Sequence, residues 1–178
     1  MLTLVLAFIA SIVYRPALEF PSSGNSNARL LPNRSLTPGA SLPVRMVDIC
    51  AMDHDEVVLP VSHALQKDVF QEYGLQDVST DDYEVDYLIS PGLGGTDDLR
   101  NLWPQPRYHT LWNSFVKDQL EDYLHRSVCA GKLDLATAQR DVSIDWIAAY
   151  KKYFRTKTPL RLSTSDSGEL IFGPRKPL

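Results

Sequence analysis

The chain has 178 residues, of which 44% are hydrophobic and 22% are charged. These proportions are ordinary for a globular protein and exclude a disordered or fibrous one. Eighteen basic and 22 acidic residues give a net charge of −4, so the chain lacks the overall positive charge that holds nucleic acid by electrostatics alone. Acidic side chains concentrate in residues 47–98 and basic ones in residues 99–178. The length fits one domain.

The first 14 residues carry no charge and are almost wholly apolar. A bilayer-spanning helix needs about 20 apolar residues, whereas the core of a signal peptide needs about 7 to 15. Residues 1–20 are therefore predicted to be a signal peptide, with a short membrane anchor or a buried N-terminal helix as the alternatives. The predicted location is outside the cytoplasm, periplasmic or secreted, or tethered to the membrane by this segment. Residues 21–45 are rich in Pro and Ser and are predicted to be a linker.

Two cysteines, Cys50 and Cys129, are too few for a zinc knuckle. In an exported chain they predict one structural disulfide that closes a loop of about 80 residues. Such a loop contributes roughly 4 kcal/mol in the chain-entropy description. Two buried free thiols are the alternative.

Hydrophobic periodicity predicts a first short helix that begins near Ser62 or His63 and ends at Gly74. Alternation over residues 83–89 predicts a strand. The proline and glycines of residues 91–95 end that strand, and residues 101–104 form a second one. The two strands make a hairpin with a wide glycine loop.

Residues 112–129 have the spacing of a long amphipathic helix. A final helix is predicted over residues 135–154, with Asp134 as its N-cap. Residues 156–178 form a tail to which no role is assigned. The expected fold class is α+β, with a ββα element packed against flanking helices in a domain over residues 46–155. Core positions are expected at Trp103, Trp112 and Trp146.

Three segments of this domain resemble the ββα-metal motif of HNH endonucleases. They are YEVDYLI at 83–89, Gly94-Gly95, and NLWPQ at 101–105. The continuations KDQLE at 117–121 and LHRSVCAG at 124–131 are similar to a bacterial branch whose members often carry a signal peptide. The similarity covers about residues 46 to 154.

The resemblance implies a site in which a carboxylate and a helix-borne histidine hold one divalent cation on the scissile phosphate. A second histidine takes a proton from water, and an asparagine supports the site. Asp86 matches the metal carboxylate and Asn101 matches the asparagine. Tyr87 occupies the position of the general-base histidine. Phe115 lies near the position at which the helix of these endonucleases usually carries the ligand histidine. Tyrosine titrates near 10 rather than near 6.5, so it is a poor base.

These replacements predict a degenerate or altered metal site. The cofactor is either a divalent ion (Mg, Mn, Ni or Zn) or none. His109, in the loop, is the candidate replacement base. His125 lies almost three turns beyond Phe115 and is expected to be structural or a phosphate contact.

Four cations are the candidate phosphate contacts: Arg100, Arg107, Lys117 and Arg126. Lys117 and Glu121 are also expected to form an i, i+4 pair on the helix surface. Asp118 is expected to cap or brace the hairpin. The acidic run at residues 53–56 is interpreted as a solvated loop, with a metal-binding group as the alternative.

Three functional hypotheses follow. The first is an HNH-like protein with a degenerate site that binds nucleic acid without cleaving it. The second is an active metal-dependent nuclease on DNA or RNA. The third is a non-catalytic exported protein with a structural or partner-binding role. None of them calls for a small-molecule cofactor, the membrane is contacted only through the N-terminal segment, and the oligomeric state stays open.

Overall fold

The computed structural model describes residues 31–51, 61–75, 80–108, 110–164 and 170–173. In chain order the helices and strands are α1 (Met46–Cys50), α2 (His63–Glu72), β1 (Tyr83–Tyr87), β2 (Leu102–Pro106), α3 (Ser114–Cys129), α4 (Leu135–Phe154), β3 (Arg161–Thr164) and β4 (Leu170–Gly173). This mixture confirms the α+β class. No helix in the described ranges has the length and hydrophobicity needed to cross a membrane. The predicted leader, residues 1–20, lies outside them.

The predicted hairpin is confirmed. β1 and β2 pair antiparallel, with Glu84 opposite Gln105 and Asp86 opposite Trp103. Residues directly opposite in an antiparallel pair project to the same face of the sheet. That face meets α3, because Lys117 of α3 contacts Asp86. The other face meets α2, where the rings of Phe70 and Tyr83 lie 6.5 Å apart.

Helices α3 and α4 pack against each other. Helix α3 also contacts the hairpin through Lys117 and Asp86, and α4 contacts the glycine loop, where Gln139 donates a hydrogen bond to the Leu93 carbonyl at 2.7 Å. Each begins at a side-chain cap: Asn113 accepts a hydrogen bond from the Val116 amide at 3.2 Å, and Asp134 accepts one from the Thr137 amide at 2.9 Å. The predicted core tryptophans are confirmed, since Trp103, Trp112 and Trp146 are all buried.

Helix α4 is not continuous as predicted. Asp145 has an extended backbone, with φ −165° and ψ 97°. Its carboxylate accepts a hydrogen bond from the Ala148 amide at 2.9 Å, so Asp145 restarts the helix as an internal N-cap. The guanidinium of Arg34 donates to the carbonyl of Ile144, which compensates the interrupted helical bonding.

Residues 31–45, inside the predicted linker, pack along the domain. The buried Thr37 hydroxyl lies 2.6 Å from the Tyr73 hydroxyl and donates to the Leu102 carbonyl at 2.8 Å. Ser41 forms a β-bridge with Gly95 in the glycine loop. Backbone and side-chain hydrogen bonds therefore hold a segment whose Pro/Ser-rich composition predicts a linker.

The disulfide between Cys50 and Cys129 is confirmed. It joins the last residue of α1 to the last residue of α3. Structural disulfides are typical of proteins outside the reducing cytosol. Within the tail, β3 and β4 form a second antiparallel hairpin that the sequence does not predict.

Candidate site on the hairpin–helix face

Lys117 lies at the centre of the polar face between the hairpin and α3. Its side chain is 0% exposed. The ammonium nitrogen lies 2.7 Å from an Asp86 carboxylate oxygen, forms an ion pair with Glu121 and donates to the Tyr87 carbonyl. The predicted Lys117–Glu121 pair is confirmed, but it lies inside the protein because α3 turns this face to the hairpin. Lys117 is thus not available on the surface to contact phosphate.

The Lys117 ammonium stays protonated at neutral pH. Burial on its own lowers the pKa of Lys117, but the negative charges of Asp86 and Glu121 outweigh burial and raise it above its usual range. The single ammonium of Lys117 forms ion pairs with two carboxylates, those of Asp86 and Glu121. Burial, together with the charge of Asp86, consequently raises the pKa of Glu121 despite the neighbouring lysine.

A divalent cation does not fit this arrangement. One carboxylate oxygen of Asp86 lies 2.7 Å from the Lys117 ammonium, and a cation on either oxygen would be repelled by that ammonium at short range. Asp86 is therefore engaged in an internal ion pair. Among the described residues, three cysteine, histidine or carboxylate ligand atoms converge only at Cys50, His125 and Cys129, and those cysteines form the disulfide.

Asn101 organises the glycine loop and is fully buried. Its side-chain oxygen accepts hydrogen bonds from the amides of Ile89 at 2.9 Å and Ala40 at 3.3 Å. Its amide group donates to the carbonyls of Ile89 at 2.9 Å and Thr96 at 3.0 Å. These four bonds occupy the hydrogen-bonding capacity of the side chain. Asn101 thus holds the backbone of the loop in place.

Tyr87 is buried, and its hydroxyl donates to the Asp97 carboxylate at 2.8 Å. Burial, followed by this hydrogen bond and the charge of Asp97, raises the pKa of Tyr87 above its usual range. A phenol that keeps its proton so firmly cannot accept one from water near neutral pH. Asp97 was not singled out from the sequence, because no local pattern pairs residues across a glycine loop.

The three arginines that were predicted to contact phosphate each face a carboxylate. Arg100 forms an ion pair with Asp98 at 2.6 Å. Arg107 lies 3.5 Å from Glu84, and Arg126 lies 3.8 Å from Asp122. Surface ion pairs of this kind are weak and can reorganise. The positive charge of each guanidinium group is nevertheless largely compensated by its neighbouring carboxylate.

The remaining residues predicted from the sequence are not shown at the hairpin–helix face. His109 and the acidic run at 53–56 lie outside the described residues. His125 lies beside the disulfide, with its Nε2 atom 3.6 Å from the sulfur of Cys129. The sequence places His125 and Cys129 four residues apart on one helix, but it does not show that Cys50 joins them.

An apolar patch is exposed near the beginning of α3. Tyr108, Leu111 and Phe115 are 51%, 45% and 48% exposed, and the rings of Tyr108 and Phe115 lie 6.0 Å apart. Asp118 follows Phe115 by one helical turn. Its side chain reaches solvent, yet partial desolvation and the charge of Asp86 raise the pKa of Asp118 to about 7, against the opposing effect of Lys117.

The chain was compared with protein-family models, with curated proteins and with solved structures, and no match was found in any of the three.

Proposed function

We propose that this is an exported HNH-like protein in which Lys117 has taken the place of the metal ion, and that it binds a partner rather than cleaving phosphodiester bonds. The observation that carries the proposal is the ammonium of Lys117, buried against Asp86 and Glu121. The positive charge of this ammonium neutralises the two carboxylates in the way that a bound metal ion would.

The other residues matched to HNH endonucleases support the same conclusion. Tyr87 retains its proton, and Asn101 is occupied with the glycine loop. On the hairpin face, the buried Trp103 indole nitrogen and both amide atoms of Gln105 have no hydrogen-bond partner in the described structure. Unpaired buried groups are unfavourable by about 1 to 3 kcal/mol each. Unpaired polar groups on the face that carries Asp86 are consistent with a remodelled ancestral site.

Charge favours a protein partner over nucleic acid. The carboxylates of Glu84, Asp86 and Asp118 lie close enough to influence one another electrostatically, and Lys117 is enclosed rather than exposed. A polyphosphate backbone would find the predicted phosphate contacts enclosed, as Lys117 is, or already paired with carboxylates, as Arg100, Arg107 and Arg126 are. The exposed side chain of Phe115 adjoins it on α3. A basic peptide segment with interspersed apolar side chains complements both features.

The absence of cleavage is the first testable consequence. Purified protein is expected to leave supercoiled plasmid intact with Mg²⁺, Mn²⁺, Ni²⁺ or Zn²⁺, because Asp86 is paired and Tyr87 cannot act as a base. Gel electrophoresis of the plasmid measures this, with Asp86→Asn as the matched control. Nicking by the wild type that disappears in Asp86→Asn would overturn the proposal in favour of a metal-dependent nuclease.

The second consequence concerns the partner. A fluorescent peptide of alternating lysine and leucine is expected to bind at low salt and to weaken as salt rises. Phe115→Ala and Asp118→Lys are each expected to weaken binding about tenfold, equivalent to about 1.4 kcal/mol. Fluorescence anisotropy measures the affinity.

Ile144→Ala is the matched control for this experiment, since Ile144 is an exposed apolar residue of α4. It is expected to bind the peptide as the wild type does. Equal binding by Phe115→Ala, Asp118→Lys and wild type would rule out this face as the binding surface. Tighter binding of a single-stranded oligonucleotide than of the peptide would instead support the nucleic-acid hypothesis.

A further inference from the structure

We infer that Cys50, His125 and Cys129 form a zinc site when the disulfide is reduced, so that one cluster alternates between a covalent crosslink and a metal centre. The two sulfurs and one histidine ring nitrogen all lie within 4.8 Å of one another. This inference is independent of the proposed function.

The backbone already holds the three ligands together. His125 and Cys129 lie one turn apart on α3, so their side chains share a face of the helix. Cys50 reaches them from the end of α1, with its Cα atom 5.6 Å from that of Cys129. All three residues are partly buried, which limits competition from water without closing the site.

The distances suit tetrahedral zinc. Zinc binds thiolate sulfur at about 2.3 Å and histidine nitrogen at about 2.0 to 2.1 Å, so neighbouring ligands of one ion lie about 3.3 to 3.8 Å apart. The His125 nitrogen lies 3.6 Å from the Cys129 sulfur in the oxidised protein. The two sulfurs have to separate, and the Cys50 sulfur already lies within 4.8 Å of the ring nitrogen. Rotation about the Cα–Cβ bonds of the two cysteines can provide the movement.

The chemistry balances with a dithiol as the reductant. The dithiol supplies two electrons and two protons, the Cys50–Cys129 bond breaks to two thiols, and the reductant leaves as its own disulfide. Zinc then binds two thiolates and the neutral imidazole, and the two thiol protons are released to solvent. Three protein ligands leave the fourth zinc position for water or for a side chain of another molecule.

The neighbouring groups are compatible with this exchange. The nitrogen of His125 that contacts Cys129 also lies 3.5 Å from the Ile49 carbonyl, a contact that zinc binding would replace. The ring also faces Gly92 of the glycine loop, where a Cβ atom would lie 3.6 Å from the ring. The site therefore adjoins the loop that Asn101 organises.

Zinc titration of the full-length protein tests the inference. The protein is reduced with a phosphine, and zinc is measured by competition with a chromophoric chelator; Co²⁺ absorption then reports thiolate ligation. The reduced wild type is expected to bind one zinc ion per chain and the oxidised protein none at this site. Removing a direct ligand should weaken binding by at least about tenfold, because loss of even an outer-shell partner has an effect of that size. His125→Ala and Cys50→Ser are the two ligand variants.

His63→Ala is the matched control, because His63 is an exposed histidine at the beginning of α2 and should leave zinc binding unchanged. Circular dichroism detects unfolding after reduction. If the reduced wild type unfolds, zinc is expected to restore its helical signal, and to do so in His63→Ala but not in His125→Ala. The inference is overturned if the reduced wild type neither binds nor refolds with zinc, or if His125→Ala behaves as the wild type does.

Discussion

Replacement of Lys117 by alanine is expected to lower the free energy of unfolding by about 3 to 5 kcal/mol, the usual effect of removing one partner from a buried ion pair. The side chain is fully buried. Without its ammonium, Asp86 loses its positively charged partner in a poorly solvated site, and it does so beside Glu121, whose pKa burial already raises. Urea denaturation at neutral pH, followed by circular dichroism, measures the change.

Two further variants separate charge from packing. Lys117→Met retains most of the side-chain volume and should lose nearly as much stability as Lys117→Ala. Adding Asp86→Asn and Glu121→Gln to Lys117→Met should recover much of the loss, because no unpaired charge then remains. Lys132→Ala is the control, since Lys132 is exposed. If the free energy of unfolding of Lys117→Ala lies within about 0.5 kcal/mol of the wild-type value, the effect is that of a surface substitution. That result would contradict the assignment of Lys117 to a buried ion pair.

Removal of the disulfide is expected to have the next largest effect. Cys50 and Cys129 are 79 residues apart in the sequence. Closing a loop of that size restricts the unfolded chain, and its removal is expected to lower the free energy of unfolding by about 4 kcal/mol. The double variant Cys50→Ala, Cys129→Ala measures this without a reductant and without the proposed zinc ligands.

The same double variant also tests how α1 is held. This five-residue helix (Met46–Cys50) is too short to be stable alone, and its buried Ile49 and the disulfide attach it to the domain. Removal of the disulfide should therefore increase the rate of amide hydrogen exchange more in α1 than in α4. A loss of stability below about 1 kcal/mol would show that the crosslink contributes little beyond the surrounding packing.

Most of the fold could be predicted from local patterns. The bounds of α2, α3 and α4 follow from periodicity and from side-chain caps such as Asp134, which act over three or four residues. The core tryptophans follow from their size and hydrophobicity. The kink at Asp145 could not be predicted, because apolar residues on either side continue the helical spacing and the compensating Arg34 lies 110 residues away.

The candidate site was less accessible from the sequence. The spacing of Lys117 and Glu121 predicts their ion pair, but it does not show which helix face is buried. That depends on the register of the hairpin, which directs Asp86 towards α3. Similarly, the composition of residues 31–45 predicts a linker, whereas their packing depends on hydrogen bonds to Tyr73 and Leu102. Long-range pairing decides each of these outcomes.

Thermal unfolding with and without Mg²⁺ or Mn²⁺ tests the proposal that the Lys117 ammonium fills the position of a metal ion. A cation that binds only the folded state raises the midpoint in proportion to its occupancy. We expect no shift for the wild type or for Asp86→Asn, and an upward shift for Lys117→Ala, where the cation can replace the missing ammonium. An upward shift in the wild type that Asp86→Asn abolishes would show that a metal ion, and not only Lys117, binds Asp86.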